Sequence, residues 1–345
     1  MISKNAFNHR IPFFDIARFF AIFGVIAVHV GHNSISSTFI GESFNYGRFG
    51  VQLFFIISGA TVFFTYSRDI QKGRPQYQFF VKRFFRIIPL FILMAIIYQV
   101  LDNKSIALTI APWSGLNPSA YNNIEGGWSI WNEMYFYLLF PLYFKYRNHK
   151  VINVAFSSLL ITISLLINFR ILGHSVDSDL MLDFDYLNIF TQFVCFIVGV
   201  EMIGKNRFNL FLYVGLQFIM GITIKYVYFK KFLFVADYGA LYWISAVALM
   251  CWLFVIIIKY FCEFFNIERG GVLGYLGRKT YTTYMIHFLV IRVLQKMEVI
   301  YVFEVQLLLV SLMSFLITIM IEKYTERIWV KMGYVLIKKI EQRIK

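Results

Sequence analysis

Apolar runs of about 17 to 25 residues recur along the whole chain, separated by short polar or basic stretches. Each run is long enough to cross a hydrocarbon core of roughly 30 Å as an α-helix, which satisfies its own backbone hydrogen bonds. Run length and punctuation predict membrane helices near 13-33, 47-66, 84-101, 129-146, 151-170, 186-203, 208-228, 238-259, 275-296 and 300-321. The expected fold class is therefore an all-α integral membrane protein, a bundle of about ten transmembrane helices forming a single domain over 1-345. The first run lacks a small-residue cleavage site after it and reads as a retained first helix.

An even number of crossings puts both termini on one side, and the basic residues say which. With a cytoplasmic N-terminus, the inside segments collect Lys82, Arg83, Arg86, Lys145, Arg147, Lys150, Lys205, Arg207, Arg278, Lys279 and the basic residues from Lys323 onward. The outside segments keep few, and only Lys225, Lys230 and Lys231 cluster there. Positive charge marks the cytoplasmic side, so both termini are expected there.

Composition agrees with lipid as the solvent: 59% of residues are hydrophobic, 20% aromatic and 15% charged. The formal charge of +14 lies in short groups between apolar runs rather than on one amphipathic face, so no nucleic-acid partner is expected. Cys195, Cys251 and Cys262 are isolated and support neither a disulfide framework nor a zinc site. The long outside connection 102-128 carries Pro112, Gly115, Pro118, Gly126 and Gly127 before Trp128, and is a candidate lid or substrate surface. The run Asp177, Asp179, Asp183 and Asp185 reads as a solvated acidic loop, so no metal is expected.

Ionisable groups inside apolar runs cost a few kcal/mol or more, which makes each a functional candidate. The first helix carries Arg18 and His29. Eleven steps of about 100° bring them within about 20° of the same face, about 16 Å apart along the axis. His29 and Glu133 lie at matching depth from the outer ends of their helices. A carboxylate at bonding distance would orient the imidazole as a general base. The plainer alternatives are a snorkelling Arg18, a core histidine bonded to a carbonyl, and a structural ion pair at Glu133. Arg83 and Arg86, three apart, share a helical face and suit phosphate, although such clusters also simply set topology. His287 falls near mid-membrane in the ninth run.

Five segments, in order, resemble the membrane-bound acyltransferase 3 family, whose members modify surface polysaccharides, O-antigens, Nod factors and antibiotics. They are Phe14-Asp15-Ile16-Ala17-Arg18 running to His29; Gly50-Val51-Gln52-Leu53-Phe54-Phe55-Ile56-Ile57-Ser58-Gly59; Arg83-Phe84-Phe85-Arg86-Ile87-Ile88-Pro89; Gly127-Trp128-Ser129-Ile130-Trp131-Asn132-Glu133-Met134-Tyr135-Phe136-Tyr137; and Leu276-Gly277-Arg278-Lys279-Thr280-Tyr281 through Tyr284 and His287. Gln52 stands where many members carry an acidic residue. The resemblance implies a ten-helix bundle with cytoplasmic termini, an acyl-CoA donor, a catalytic His29 supported by Arg18, and Arg83 and Arg86 near the CoA phosphates.

The expected activity is O-acyltransfer, with acetyl-CoA as donor and a sugar hydroxyl of a cell-surface glycan (O-antigen, capsule or exopolysaccharide) as acceptor. Candidate catalytic residues are His29, Arg18 and Glu133, and candidate substrate-binding residues are Trp128, Ser129, Tyr137 and His287. Expected partners are acyl-CoA, a lipid-linked or polymeric glycan, membrane lipid and polysaccharide-assembly proteins, and the expected location is the bacterial inner membrane. Direct transfer is expected, because no pairing of nucleophile and base is legible along the chain; serine beside glycine, as at Ser58, reads as a close-packing device. Two rivals use the same polar residues: a glycan exporter or flippase with a polar path, and a non-catalytic membrane subunit of a polysaccharide assembly complex.

Overall fold

The computed structural model describes residues 11–31, 44–102, 106–111, 114, 116, 124–172, 186–229, 240–267, 270–298 and 302–344. Its elements are α1 (Pro12–Gly31), a 3-10 turn (Phe44–Phe49), α2 (Gly50–Gln71), α3 (Tyr77–Asp102), α4 (Ile106–Ile110), α5 (Trp128–Tyr146), α6 (Lys150–Leu172), α7 (Ile189–Gly204), α8 (Arg207–Phe229), α9 (Ala240–Phe264), α10 (Gly271–Gly277), α11 (Thr280–Lys296), α12 (Phe303–Ile321) and α13 (Glu326–Ile344). Helices stand at every apolar run singled out from the sequence. Among the described residues, five are long and apolar enough to cross a membrane: Pro12–Gly31, Gly47–Gln71, Tyr77–Leu101, Trp243–Phe264 and Phe303–Ile321. Pro89 and Pro141 sit inside α3 and α5, as helices in lipid tolerate.

One reading of the sequence needs correction, and one element is added. The run at 275-296 is not one helix: α10 ends at Gly277 and α11 begins at Thr280. A Cβ at Gly277 would collide with the Asp15 carbonyl oxygen, so the chain lies backbone against backbone there before turning into α11. The break holds Arg278 and Lys279, so a charged pair marked it in the sequence inside the run taken as one helix. The segment after the last predicted crossing is itself helical, forming α13. It lies along the start of α3, with Gly333 against the Phe85 ring and Gln78 donating to Glu341 (2.7 Å).

The chain divides into two compact units. The first comprises Met1–Phe54, Arg68–Ile97 and Phe254–Lys345. Its centre is α1, packed against the 3-10 turn, α10, α11 and α12. Small residues set these approaches: a Cβ at Gly50 would strike the Ala21 carbonyl, and one at Gly47 the Gly24 carbonyl. Thr283 and Thr318 join α11 to α12 (3.1 Å), and the Tyr281 hydroxyl donates to the Ile87 carbonyl of α3 (2.7 Å).

The second unit comprises Phe55–Ser67 and Tyr98–Leu253. Its centre is α7, buried along most of its length. Asn188 caps its start by accepting from the Thr191 N–H (3.0 Å), and Lys205 closes its end in the left-handed conformation (φ 58°). Reciprocal glycines bring α7 against α2: Gly199 lies under the Ile56 carbonyl and Gly59 under the Phe196 carbonyl, with no room for a Cβ at either. The Phe196 ring stacks on Phe136 of α5 (4.2 Å) and Phe55 of α2 (4.5 Å).

Candidate functional site

In the first unit, α1 holds the two residues of the arginine and histidine pattern near its opposite ends. Arg18 donates to Asp15, one turn earlier on the same helix (2.8 Å), and Arg278 approaches the other oxygen of Asp15 (3.6 Å). Arg83 and Arg86 lie close enough to act on Arg18 electrostatically. Arg86 pairs with Glu326 of α13 (3.6 Å) and remains 43% exposed; the Arg83 guanidinium sits over the Phe79 ring (5.8 Å). Four arginines thus gather around two carboxylates. This excess of forked donors suits a phosphate or other polyanion, whose arrival would relieve their mutual repulsion. Beside it, Lys279 and Glu322 form a close ion pair that Arg327 joins (3.4 Å).

His29 lies in the last turn of α1, half-buried, with its ring 5.6 Å from the fully buried His287 ring of α11. Phe288 packs on both imidazoles, at 4.3 Å and 4.2 Å. His287 Nδ1 donates to the Tyr284 carbonyl (2.7 Å), a bond that fixes its proton on Nδ1. Its Nε2 is buried and takes no hydrogen bond among the described residues. The structure therefore joins His29 to His287, a pairing that sequence spacing did not reveal.

Glu133 belongs to the second unit. Ser58 Oγ donates to Glu133 Oε1 (2.5 Å), the Tyr137 hydroxyl donates to the same oxygen, and the two hydroxyls lie 2.9 Å apart. Trp128 is buried between the rings of Phe55 (6.0 Å) and Tyr186 (5.5 Å). Ser129 donates to the Gly126 carbonyl (3.0 Å), closing the turn that opens α5.

A second intramembrane carboxylate escaped the sequence reading. Glu201 of α7 is fully buried and accepts from Tyr143 (2.7 Å), Arg147 Nη2 (2.7 Å), the Asn206 N–H (2.9 Å) and Asn209 (3.5 Å). Its signal was available: a glutamate inside the apolar run 186-203. Asp15 and Arg278 appeared only as parts of longer motifs. Among the described residues, no group of three or more His, Cys, Asp or Glu converges on a metal site. The acidic run from Asp177 to Asp185, Trp113, Lys230 and Lys231 lie outside the described residues.

A chain whose described residues are largely helical, with long apolar helices and with ionisable residues held inside them by specific partners, is a multi-pass membrane protein. A family model described as an acyltransferase domain matches residues 11–323, nearly the entire chain. The chain belongs to this acyltransferase 3 family and is a membrane acyltransferase. No curated protein and no solved structure matches it.

Proposed function

We propose that this protein moves an acetyl group from acetyl-CoA, bound at the cytoplasmic face, to a sugar hydroxyl of a cell-surface glycan, with His29 as general base. The protein sits in the bacterial inner membrane as ten crossings of one domain, with both termini cytoplasmic. The observation that carries the reading is the layout of α1 within the first unit. At one end Arg18 stands in a cluster with Asp15, Arg278, Arg83 and Arg86, and three turns away His29 meets the tautomer-fixed His287. A polyanion site and an imidazole pair on one helix suit a donor with phosphates at one end and a reactive carbonyl at the other.

In this reading Arg83, Arg86 and Arg278 hold the CoA phosphates through forked donors, and Asp15 keeps Arg18 extended toward them. His29 removes the proton from the acceptor hydroxyl as it attacks the acyl carbonyl. His287, its Nδ1 committed to a carbonyl, offers only a lone pair at Nε2 and accepts a hydrogen bond from substrate.

The test is purified wild type against His29→Ala in nanodiscs with labelled acetyl-CoA and a glycan extract, following CoA release and label transfer. Loss of a general base is expected to lower turnover by about 10²–10⁴-fold, at unchanged thermal stability. A wild type that neither binds nor consumes acetyl-CoA in the presence of glycan would overturn the proposal.

A further inference from the structure

Ser58, Glu133 and Tyr137 form a compact polar group inside the second unit that direct transfer does not require. Serine and threonine in apolar helices ordinarily turn their hydroxyls back to a carbonyl three or four residues earlier. Two neighbours on α2 do so: Thr61 donates to the Ile57 carbonyl (2.8 Å) and Thr65 to the Thr61 carbonyl (2.8 Å). Ser58 does not. Its hydroxyl reaches across to α5 and donates to Glu133 Oε1 at 2.5 Å, the short range of an O–H···O⁻ bond.

Close packing does not account for Ser58 either. The approach of α2 to α7 is carried by Gly59, the next residue, which lies against the Phe196 carbonyl. Ser58 is free of that duty and faces a carboxylate. Tyr137, one turn after Glu133 on α5, holds the same carboxylate oxygen and lies 2.9 Å from Ser58 Oγ. Among the described residues, Glu133 pairs with no lysine or arginine, so its charge is held by two hydroxyls alone. A hydroxyl donating to a carboxylate with a second donor beside it is the arrangement of an activated nucleophile. The carboxylate can take the proton, and once Oε1 is protonated the phenol can turn its single proton to the oxygen left behind.

We propose that Ser58 carries the acyl group as a covalent intermediate, with Glu133 as its base and Tyr137 as the donor that steadies its oxygen. This rests on the acyltransferase reading above. In the first step Ser58 Oγ attacks the thioester carbonyl and its proton passes to Glu133. The C–S bond breaks, and the thiolate leaves and takes a proton from water. In the second step the acceptor hydroxyl attacks the ester carbonyl and its proton passes to water, matching the one the thiolate took. The C–Oγ bond breaks and Glu133 returns its proton to Ser58, and nothing is oxidised or reduced.

The experiment uses full-length wild type, Ser58→Ala and Ser58→Cys in nanodiscs, with labelled acetyl-CoA. Each is mixed without glycan, quenched in acid and mapped by peptide mass, then assayed with glycan for CoA release. Expected in wild type are a burst of up to one equivalent of CoA without glycan, label on Ser58, and its discharge when glycan is added. Ser58→Ala is expected to lose both burst and turnover by at least about 100-fold at unchanged melting temperature. Ser58→Cys is expected to hold label at the same position as a hydroxylamine-labile thioester, which decides the matter should the alanine variant not fold. A wild type that turns over with glycan yet carries no label, or carries it on Tyr137 or a native cysteine, would overturn the intermediate while leaving the acyltransferase reading intact. So would turnover retained in Ser58→Ala, or a Ser58→Cys variant without label. A wild type without turnover overturns both.

Discussion

Glu133 and Glu201 are the same residue type in two helices of one unit, and they are treated in opposite ways. Glu201 is fully buried and meets a guanidinium, a phenol, a backbone N–H and an asparagine amide. The donors themselves are tied down. The Arg147 carbonyl accepts from Asn209 (2.8 Å) and Asn206 (3.0 Å), so the ends of α5, α7 and α8 are knitted through this carboxylate. Glu133 is half-buried and, among the described residues, meets two hydroxyls, both at one oxygen. A carboxylate surrounded by a matched cation and saturated donors has no free lone pair for chemistry and serves as a brace. One held by hydroxyls can exchange a proton with them. The lesson is that a charge inside a membrane helix marks a special site, and its partners decide whether that site is a joint or a reaction centre.

Three substitutions test this contrast. Glu133→Gln keeps the shape but removes the proton acceptor. Turnover is expected to fall by about 10²–10⁴-fold, with the melting temperature in detergent little changed. Loss of stability with normal activity per folded molecule would make Glu133 a brace like its counterpart. Glu201→Gln should do the reverse, because it leaves the Arg147 charge buried beside a neutral amide. A destabilisation of about 3–5 kcal/mol is expected, read by thermal unfolding, with turnover per folded molecule retained. Gly199→Ala probes the approach that sets α2 against α7, since the new methyl would meet the Ile56 carbonyl, which cannot swing aside. Overpacking of this kind costs about 1–3 kcal/mol. Because Ser58 sits on the same stretch of α2, the variant is also expected to lower turnover modestly. An unchanged melting temperature would show that the two helices can separate there.

The legible part of the fold was the part governed by one-dimensional length. Helices stand at every apolar run long enough to cross lipid, although the run at 275-296 is broken into two, because in lipid an unpaired backbone has no alternative. Positions where helices meet through glycine were invisible in kind. Gly199 and Gly277 read as ordinary small residues, and only their neighbours reveal that a carbonyl occupies the space a Cβ would need. The break between α10 and α11 did carry a signal, the charged pair Arg278-Lys279 inside the run 275-296. At the site, the shared face of Arg18 and His29 followed from helical periodicity. The joining of His29 to His287, of Arg278 to Asp15, and of Ser58 to Glu133 depends on residues far apart along the chain, for which periodicity carries no information.

Taken alone, then, the sequence determined that the chain is helical and membrane-embedded, which helices carry charge, and, through motifs in fixed order, which family it belongs to. All of these follow from local hydrophobicity and spacing. Tertiary structure alone decided which charges are satisfied and which are poised. Serine became a candidate acyl carrier rather than a packing residue because its helix was turned to bring its hydroxyl within 2.5 Å of a carboxylate 75 residues away. A membrane supplies no water to satisfy a stray donor, so the fold itself has to choose each polar group's partner, and with it the group's role.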